Sequence, residues 1–371
     1  MGWMAAWRWC SWVIRRWLMG EHLELRGQNP PATLGSEPEQ SGHRGQARRI
    51  LRLARRTVWQ AIPTVLGILV LNFLLLRLIP GDAVDVLASE SGGATEATLA
   101  QWRSHFGLDL SLWQQLLAYL NHLVHLDLGV SPRFNLPVGQ LIAERLPNTL
   151  LLMVGALALA LAIGISAGVV MASRVGRWPD RLLSLTVLLL YSTPGFWIGL
   201  MAVVLFSVTL GWLPSDGIET LGLDLHGSAW LFDRCKHAIL PILTLATFYI
   251  ALYARLTRAS MLEVQRQDFV RTARAKGLHP TRIAVRHVLR NALLPVTTLA
   301  GLHFAALLGG AAVTETLFGW PGLGRLTLDA VLSRDYNLLL GILLLSSMLV
   351  VVVNVAMDLL QAWLDPRIQV Q

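Results

Sequence analysis

Apolar residues in this chain fall in long, nearly unbroken runs separated by polar loops. Six runs approach the roughly 20 residues that an α-helix needs to cross a bilayer: 58–79, about 149–172, 182–210, about 237–254, about 296–314 and about 338–360. Each is expected to be a transmembrane helix. The third is broken at Pro194-Gly195, where the helical hydrogen-bond ladder cannot continue undisturbed. Gly, Ala and Ser are dense in the second and fifth runs. Small residues let helices approach closely in lipid, so these two are expected to pack inside a bundle. The expected fold is all-α and integral to the membrane, a bundle of six transmembrane helices.

Composition agrees. Mean hydropathy is +0.52 and only 15% of residues are charged, against about 25% in soluble domains. The formal charge of +8 raises nucleic acid as a partner, but basic loops beside membrane spans account for it more simply. Membrane lipid is the expected partner, and nucleic acid is not.

The loops assign an orientation. Residues 43–57, 173–181, 255–294 and the tail after 364 hold nineteen Arg and Lys; the alternate set, 80–147, 211–236 and 315–337, holds seven. By the positive-inside rule the first set is cytoplasmic, with both termini inside. Cys10 and Cys235, the two cysteines, then lie on opposite sides of the membrane, which excludes pairing between them. No CxxC or Cys/His metal spacing occurs, so no metal site is expected.

Residues 1–47 read as an extension, with a Trp- and Arg-rich start suited to an interfacial helix and a polar linker of disordered composition. Residues 48–371 read as the membrane domain.

The longest inner loop, 259–294, carries the most specific pattern. "DFVRTARAKGLHPTRIAVRHVLRNALLP" (268–295) holds six cations and one acid. Residues 259–276 contain few helix breakers and are expected to prolong the fourth span. Gly277 after Lys276 suits a C-terminal cap, and Pro280 suits the first turn of a new helix. Ile283, Val285, Val288, Leu289 and Ala292 give that helix an apolar side, Arg282, Arg286 and Arg290 lie on another, and Pro295 is expected to open the fifth span. Thr272, Ala273 and Ala275 form a small-residue face beside the turn. The pattern fits either a basic loop that sets topology and meets anionic headgroups, or a docking element for a cytoplasmic partner.

"RTARAKGL" followed by "RHVLRNALLP" resembles the coupling loop, the so-called EAA loop, of ABC-importer permeases in the dipeptide/oligopeptide/nickel branch. The general consensus begins Glu-Ala-Ala; here Arg271 and Thr272 stand at the first two positions, Ala273 at the third, and Gly277 at the consensus Gly. Arg290 stands where the consensus has Pro, and the branch shares these departures. "AIPTVLGILVLNFLLLRLIPGD", "FGLDLSLWQQLLAYLNHLVHLDLGVS", "VGQLIAERLPNTLLL", "FGWPGLGRLTLDAVLSRDY" and "LDPRI" resemble further blocks of that branch, in the same order, across residues 48–371. The resemblance implies a permease subunit that binds no cofactor itself. ATP–Mg and its hydrolysis would belong to two ATPase subunits. The other implied partners are a second homologous permease and an extracytoplasmic solute-binding protein. Arg271, Thr272, Ala273, Arg274, Ala275, Lys276, Gly277 and Leu278 would form the ATPase-coupling element. The chain shows no GxxxxGK[ST] phosphate loop of its own. Di- and oligopeptides are the favoured cargo; nickel and other small solutes remain open.

Residues for the translocation path are read from the spans. Tyr191, Ser192, Thr193 and Pro194 stand at the break in the third, where exposed backbone is tolerated if it lines a cavity. Thr244, Thr247 and Tyr249 in the fourth and His303 in the fifth are the other candidates, His303 being a lone ionisable group within its span. Trp320-Pro321-Gly322 reads as a structural turn, and Asp82, Asp109 and Asp127 as candidates for polar contacts with a binding protein. A transporter driven by an ion gradient would carry acids at mid-span, and none is found there. A membrane-embedded enzyme would cluster its catalytic groups at one depth; no HExxH occurs, and the His residues scatter among loops and one span.

Overall fold

The computed structural model describes residues 95–105, 109–124, 127–220, 222 and 225–364, with scattered positions between 59 and 88. Contacts divide the chain into Met1–Ala47 and Arg48–Gln371. The first unit, and with it the expected interfacial helix, lies outside the described residues.

Ten α-helices of eight or more residues are fully described in the second unit. They are α1 (Glu96–His105), α2 (Leu112–Val124), α3 (Val138–Ser173), α4 (Trp178–Ser192), α5 (Gly195–Ala202), α6 (Ser228–Val264), α7 (Asp268–Ala275), α8 (Arg290–Leu317), α9 (Leu323–Leu332) and α10 (Tyr336–Leu364). The described residues contain no β-strand. Among the described residues, helices α3, α6 and α10 are each long and apolar enough to cross a membrane, and two bent pairs raise the number to five if each counts as one span. The first expected span, 58–79, is helical at 65–71 but lies partly outside the described residues.

The centre of the bundle is the pair α3–α6. Ala156, Ala160, Gly164, Gly168 and Ala172 recur every four residues along α3 and all are buried. A Cβ on Gly164 would lie 2.9 Å from the Ile250 carbonyl oxygen, and one on Gly168 would lie 2.7 Å from that of Ala254. This is close backbone packing through a small-xxx-small stripe. The second run thus packs inside the bundle as expected, but chiefly on the fourth. Leu307 and Ala311 of α8 join the same core.

Both central helices outrun their expected spans. Pro147 and Pro241 lie within α3 and α6 without ending them. Before Pro147, Val138, Leu141 and Ile142 pack on Leu323, Leu326, Leu338 and Leu339 of α9 and α10. That burial sustains a segment whose composition alone reads as loop.

The break at Pro194 is sharper than a kink. Thr193 is extended (φ −88°, ψ 131°), as the residue before proline prefers. The axes of Trp178–Ser192 and Gly195–Thr209 differ by 104°, so the two halves do not form one rod across 182–210. The second half ends in a π-helical stretch, Val203–Thr209.

Candidate functional site

The end of the bundle that carries residues 264–290 is named inner, and the end that carries 315–335 outer, after the expected orientation. At the inner end α6 stops at Val264 and does not run on to 276, because Gln265–Gln267 turn and Gln267 is extended before α7 (φ −70°, ψ 149°). Asp268 opens α7 with an acid where the helix dipole favours one. The far end is a Schellman cap: Leu278 N–H donates to the Ala273 carbonyl at 3.4 Å and Gly277 N–H to that of Arg274 at 2.9 Å. Gly277 takes φ +74° with open space around its Cα. His279 then caps the next helix through Nδ1, which accepts from Thr281 N–H at 3.4 Å, and Pro280 fills its first position. Both turn signals therefore act as the sequence implies. The second helix departs from expectation: it passes through a π-helical stretch, Ile283–Leu289, and continues into α8, with Pro295 inside that helix. The π pitch spaces the buried positions Ile283 and Val288 five apart and turns Val285 outward.

Side chains of α7 divide cleanly. Val270 and Ala273 are buried with Ala172 of α3, Met261 of α6, Ile283 and Val288 of the π-helical stretch, and Ala292 of α8. Arg271, Thr272, Arg274, Ala275, Lys276 and Gly277 are exposed, and Leu278 is half-buried. The expected small face is thus split: Ala273 belongs to this chain's own core, while Thr272 and Ala275 face outward. Arg271 meets Asp268 at 3.3 Å in full exposure, a pair that contributes little. Arg274, Lys276, Arg282, Arg286 and Arg290 have no carboxylate partner among the described residues. Beside them, Arg258 of α6 grips Asp180 of α4 through both carboxylate oxygens, at 2.9 and 3.0 Å. That bidentate clamp was not read from the sequence, since its partners lie 78 residues apart.

The candidate path residues are only partly brought together. Tyr191 stacks on Phe248 of α6 with ring centres 5.2 Å apart. Phe248 meets Tyr249 edge to face, and Tyr249 lies 5.5 Å from the His303 ring. His303 Nδ1 is 3.1 Å from the Tyr253 hydroxyl. Tyr191 and His303 therefore belong to one chain of rings across α4, α6 and α8, whereas Thr247 is buried and donates to the Leu243 carbonyl at 2.7 Å. Ser192 and Thr193 donate to the carbonyls of Leu188 and Leu189, each at 2.8 Å. Pro194 is exposed at the turn. Phe248, Tyr253 and Arg255, whose guanidinium lies 3.8 Å over the Tyr191 ring, went unmarked in the sequence.

The outer end is closed by buried polar contacts. Glu315 of α8 is fully buried and accepts from Thr149 Oγ1 at 2.6 Å and Arg325 N–H at 3.0 Å. Thr149 Oγ1 accepts in turn from Leu323 N–H at 2.7 Å. Asn148 donates to the Pro321 carbonyl and accepts from Arg234, and buried Trp320 donates to the Asn148 carbonyl at 3.2 Å. A Cβ on Gly322 would sit 2.2 Å from the Glu315 carboxyl carbon. The Trp320-Pro321-Gly322 segment is accordingly a structural turn. Asp335 accepts from Ser131 Oγ, and from Leu338 N–H at 3.0 Å. Burial holds its carboxyl above the usual carboxylate range in spite of these bonds. Asp127 accepts from Gly129 N–H, Asp109 is exposed, and Asp82 lies outside the described residues. Among the described residues no cluster of three or more His, Cys, Asp or Glu side chains suits a metal ion.

An apolar bundle with an exposed cationic helix–turn–helix at one end and a sealed polar network at the other is a multi-pass membrane protein of the transport-permease class. The chain belongs to the family of binding-protein-dependent transport system inner membrane components, whose family model matches residues 164–370. It is 41% identical over 318 residues to the oligopeptide transport system permease protein AppB of Bacillus subtilis (strain 168), with 85% of this chain and 98% of that one covered. It is 40% identical over 338 residues to the di/tripeptide transport system permease protein DppB of Pseudomonas aeruginosa (strain UCBPP-PA14), with 87% and 100% covered. A chain of the inward-facing MetNI methionine ABC transporter (CY5 native crystal form) is similar in fold, with a TM-score of 0.50 at 20% identity over 61% of this chain and 97% of that one. The chain is a membrane component of a transport system, not an enzyme.

Proposed function

We propose that this chain is the membrane-spanning permease subunit of an ATP-driven, binding-protein-dependent importer of di- and oligopeptides. A second homologous permease completes the pathway, two ATPase subunits bind and hydrolyse ATP–Mg, and an extracytoplasmic binding protein delivers cargo to the outer loops. Residues 48–371 form the permease domain, 1–47 an extension, and both termini are cytoplasmic. The path runs past the ring chain of Tyr191 and His303 beside the break at Ser192, Thr193 and Pro194, with Thr247 behind it.

The observation that carries this reading is the placement of α7. On its exposed face, Arg271 to Gly277, Arg274 and Lys276 have no carboxylate partner among the described residues. Its buried face, Val270 and Ala273, rests on the inner ends of α3, α6 and α8. An ATPase that grips the outer face of α7 moves three spans at once. Nucleotide-driven closure of the ATPases is thereby converted into a change of bundle shape, a switch between two packed states.

The test is co-purification of the detergent-solubilised complex, wild type against Gly277→Asp. Wild type should retain the ATPases and raise their turnover when loaded binding protein is added, while Gly277→Asp should lose one or both. A wild type that retains no ATPase refutes the importer reading. Equal retention and equal turnover refute the role given to α7.

A further inference from the structure

We propose that Arg255 is a carboxylate-binding station on the inner half of the path, contacting the C-terminal carboxylate of the peptide as it passes. The inference rests on the importer reading above.

Helix α6 runs from the outer to the inner end. Arg258, near its inner end, is compensated by Asp180. Arg255, one turn earlier, has no carboxylate partner among the described residues and is exposed. Its guanidinium lies over Tyr191, whose ring stacks on Phe248, two turns further back into the span. Helical side chains lean toward the N-terminus of their helix, which for α6 is toward the membrane centre. Arg255 therefore reaches into the span, whereas an arginine that snorkels reaches out to the surface.

An unpaired guanidinium against acyl chains is strongly disfavoured. The face that exposes Arg255, Tyr191 and Phe248 must border water or a subunit cleft rather than lipid. The group that the guanidinium meets is the Tyr191 ring, and no described carboxylate is paired with it. The ring holds the guanidinium by its face and leaves the in-plane N–H donors free. A planar fork of this kind matches a carboxylate in two parallel hydrogen bonds. Every unmodified peptide ends in a carboxylate, so one such cation serves cargo of any side-chain sequence. Deeper contacts at each residue would instead narrow the range.

The experiment uses the complete importer in proteoliposomes and follows uptake of a labelled tripeptide alongside ATP turnover. Arg255→Gln should lower uptake about tenfold, the effect of losing a charged hydrogen-bond pair, while the stimulation of ATPase by loaded binding protein persists. Arg255→Lys should stay within about threefold of wild type, because the point charge remains. Arg255→Cys, in a Cys10→Ser, Cys235→Ser background, keeps the proposal testable if Arg255→Gln fails to assemble. Modification with aminoethyl methanethiosulfonate should restore uptake and the sulfonatoethyl reagent should not. Equal uptake by wild type and all variants overturns the proposal alone. So does an introduced thiol that neither charged reagent reaches, since that position would face lipid. A wild type that hydrolyses ATP but takes up no peptide overturns the importer reading, and this proposal with it.

Discussion

The two ends of the bundle solve the problem of polar groups in opposite ways. At the outer end Glu315, Thr149, Asn148 and Trp320 are buried and paired with one another or with backbone. At the inner end the cations of α7 and of 280–290 stand in the open, and only Val270, Ala273 and their neighbours are sealed. A buried polar network that is fully paired makes the chain self-sufficient where it occurs. An uncompensated basic surface over a small apolar foot is incomplete without a partner. The outer end therefore holds this subunit together, and the inner end is the surface proposed to meet an ATPase.

That contrast is open to attack from both sides. The largest effect is expected from Glu315→Ala, which strands Thr149 and a backbone N–H and leaves a cavity. Stability should fall by about 3 kcal/mol, read as a drop in the thermal midpoint of the detergent-solubilised protein. Gly324→Ala follows. Its Cβ would lie 2.3 Å from the Ala312 Cα, which forces α9 off α8 at a cost of about 2 kcal/mol.

Asp335→Asn should show itself through pH. The native carboxyl holds its proton more tightly than the unfolded one, because burial raises its pKa. Its contribution to stability is thus greatest below the unfolded value and is lost as pH rises through the native one. The thermal midpoint of wild type should gain on that of Asp335→Asn between pH 8 and pH 5; parallel profiles would contradict the burial of this group.

The smallest stability effect belongs to the inner end. Reversing the exposed charges with Arg274→Glu and Lys276→Glu should change the stability of the isolated chain by less than about 0.5 kcal/mol, yet weaken ATPase retention, an effect that shrinks as salt rises and screens the charges. A loss of stability as large as that of Glu315→Ala would erase the distinction between the two ends.

Much of this was legible because it is local. The cap at Gly277 and the start at Pro280 depend on φ preferences within one turn, and both appear where the residues imply. The break at Pro194 is of the same kind. The length of α3 and α6 was not legible, because Val138, Leu141 and Ile142 are sustained by α9 and α10, which lie more than 180 residues further on. Ala273 was misread as part of a docking face because the pattern of small residues does not say which side meets the chain's own core. Glu315 escaped notice because it stands at the end of a span, where an acid reads as a loop charge until Thr149 is seen against it. His303 was legible as a lone polar group in an apolar run, but its partner Tyr253 was not.

By itself the sequence determined the solvent of this protein and the chemistry of its turns. Transfer into hydrocarbon and backbone preference are sums over neighbouring residues, so a window of the chain contains them. The tertiary structure decided the 104° turn after Thr193, the burial of Glu315, the inward face of α7 and the seat of Arg255 on Tyr191. Each of these depends on the distance between segments remote in the chain. The energies at stake, clash, charge burial and close packing, change steeply over less than a side chain's length.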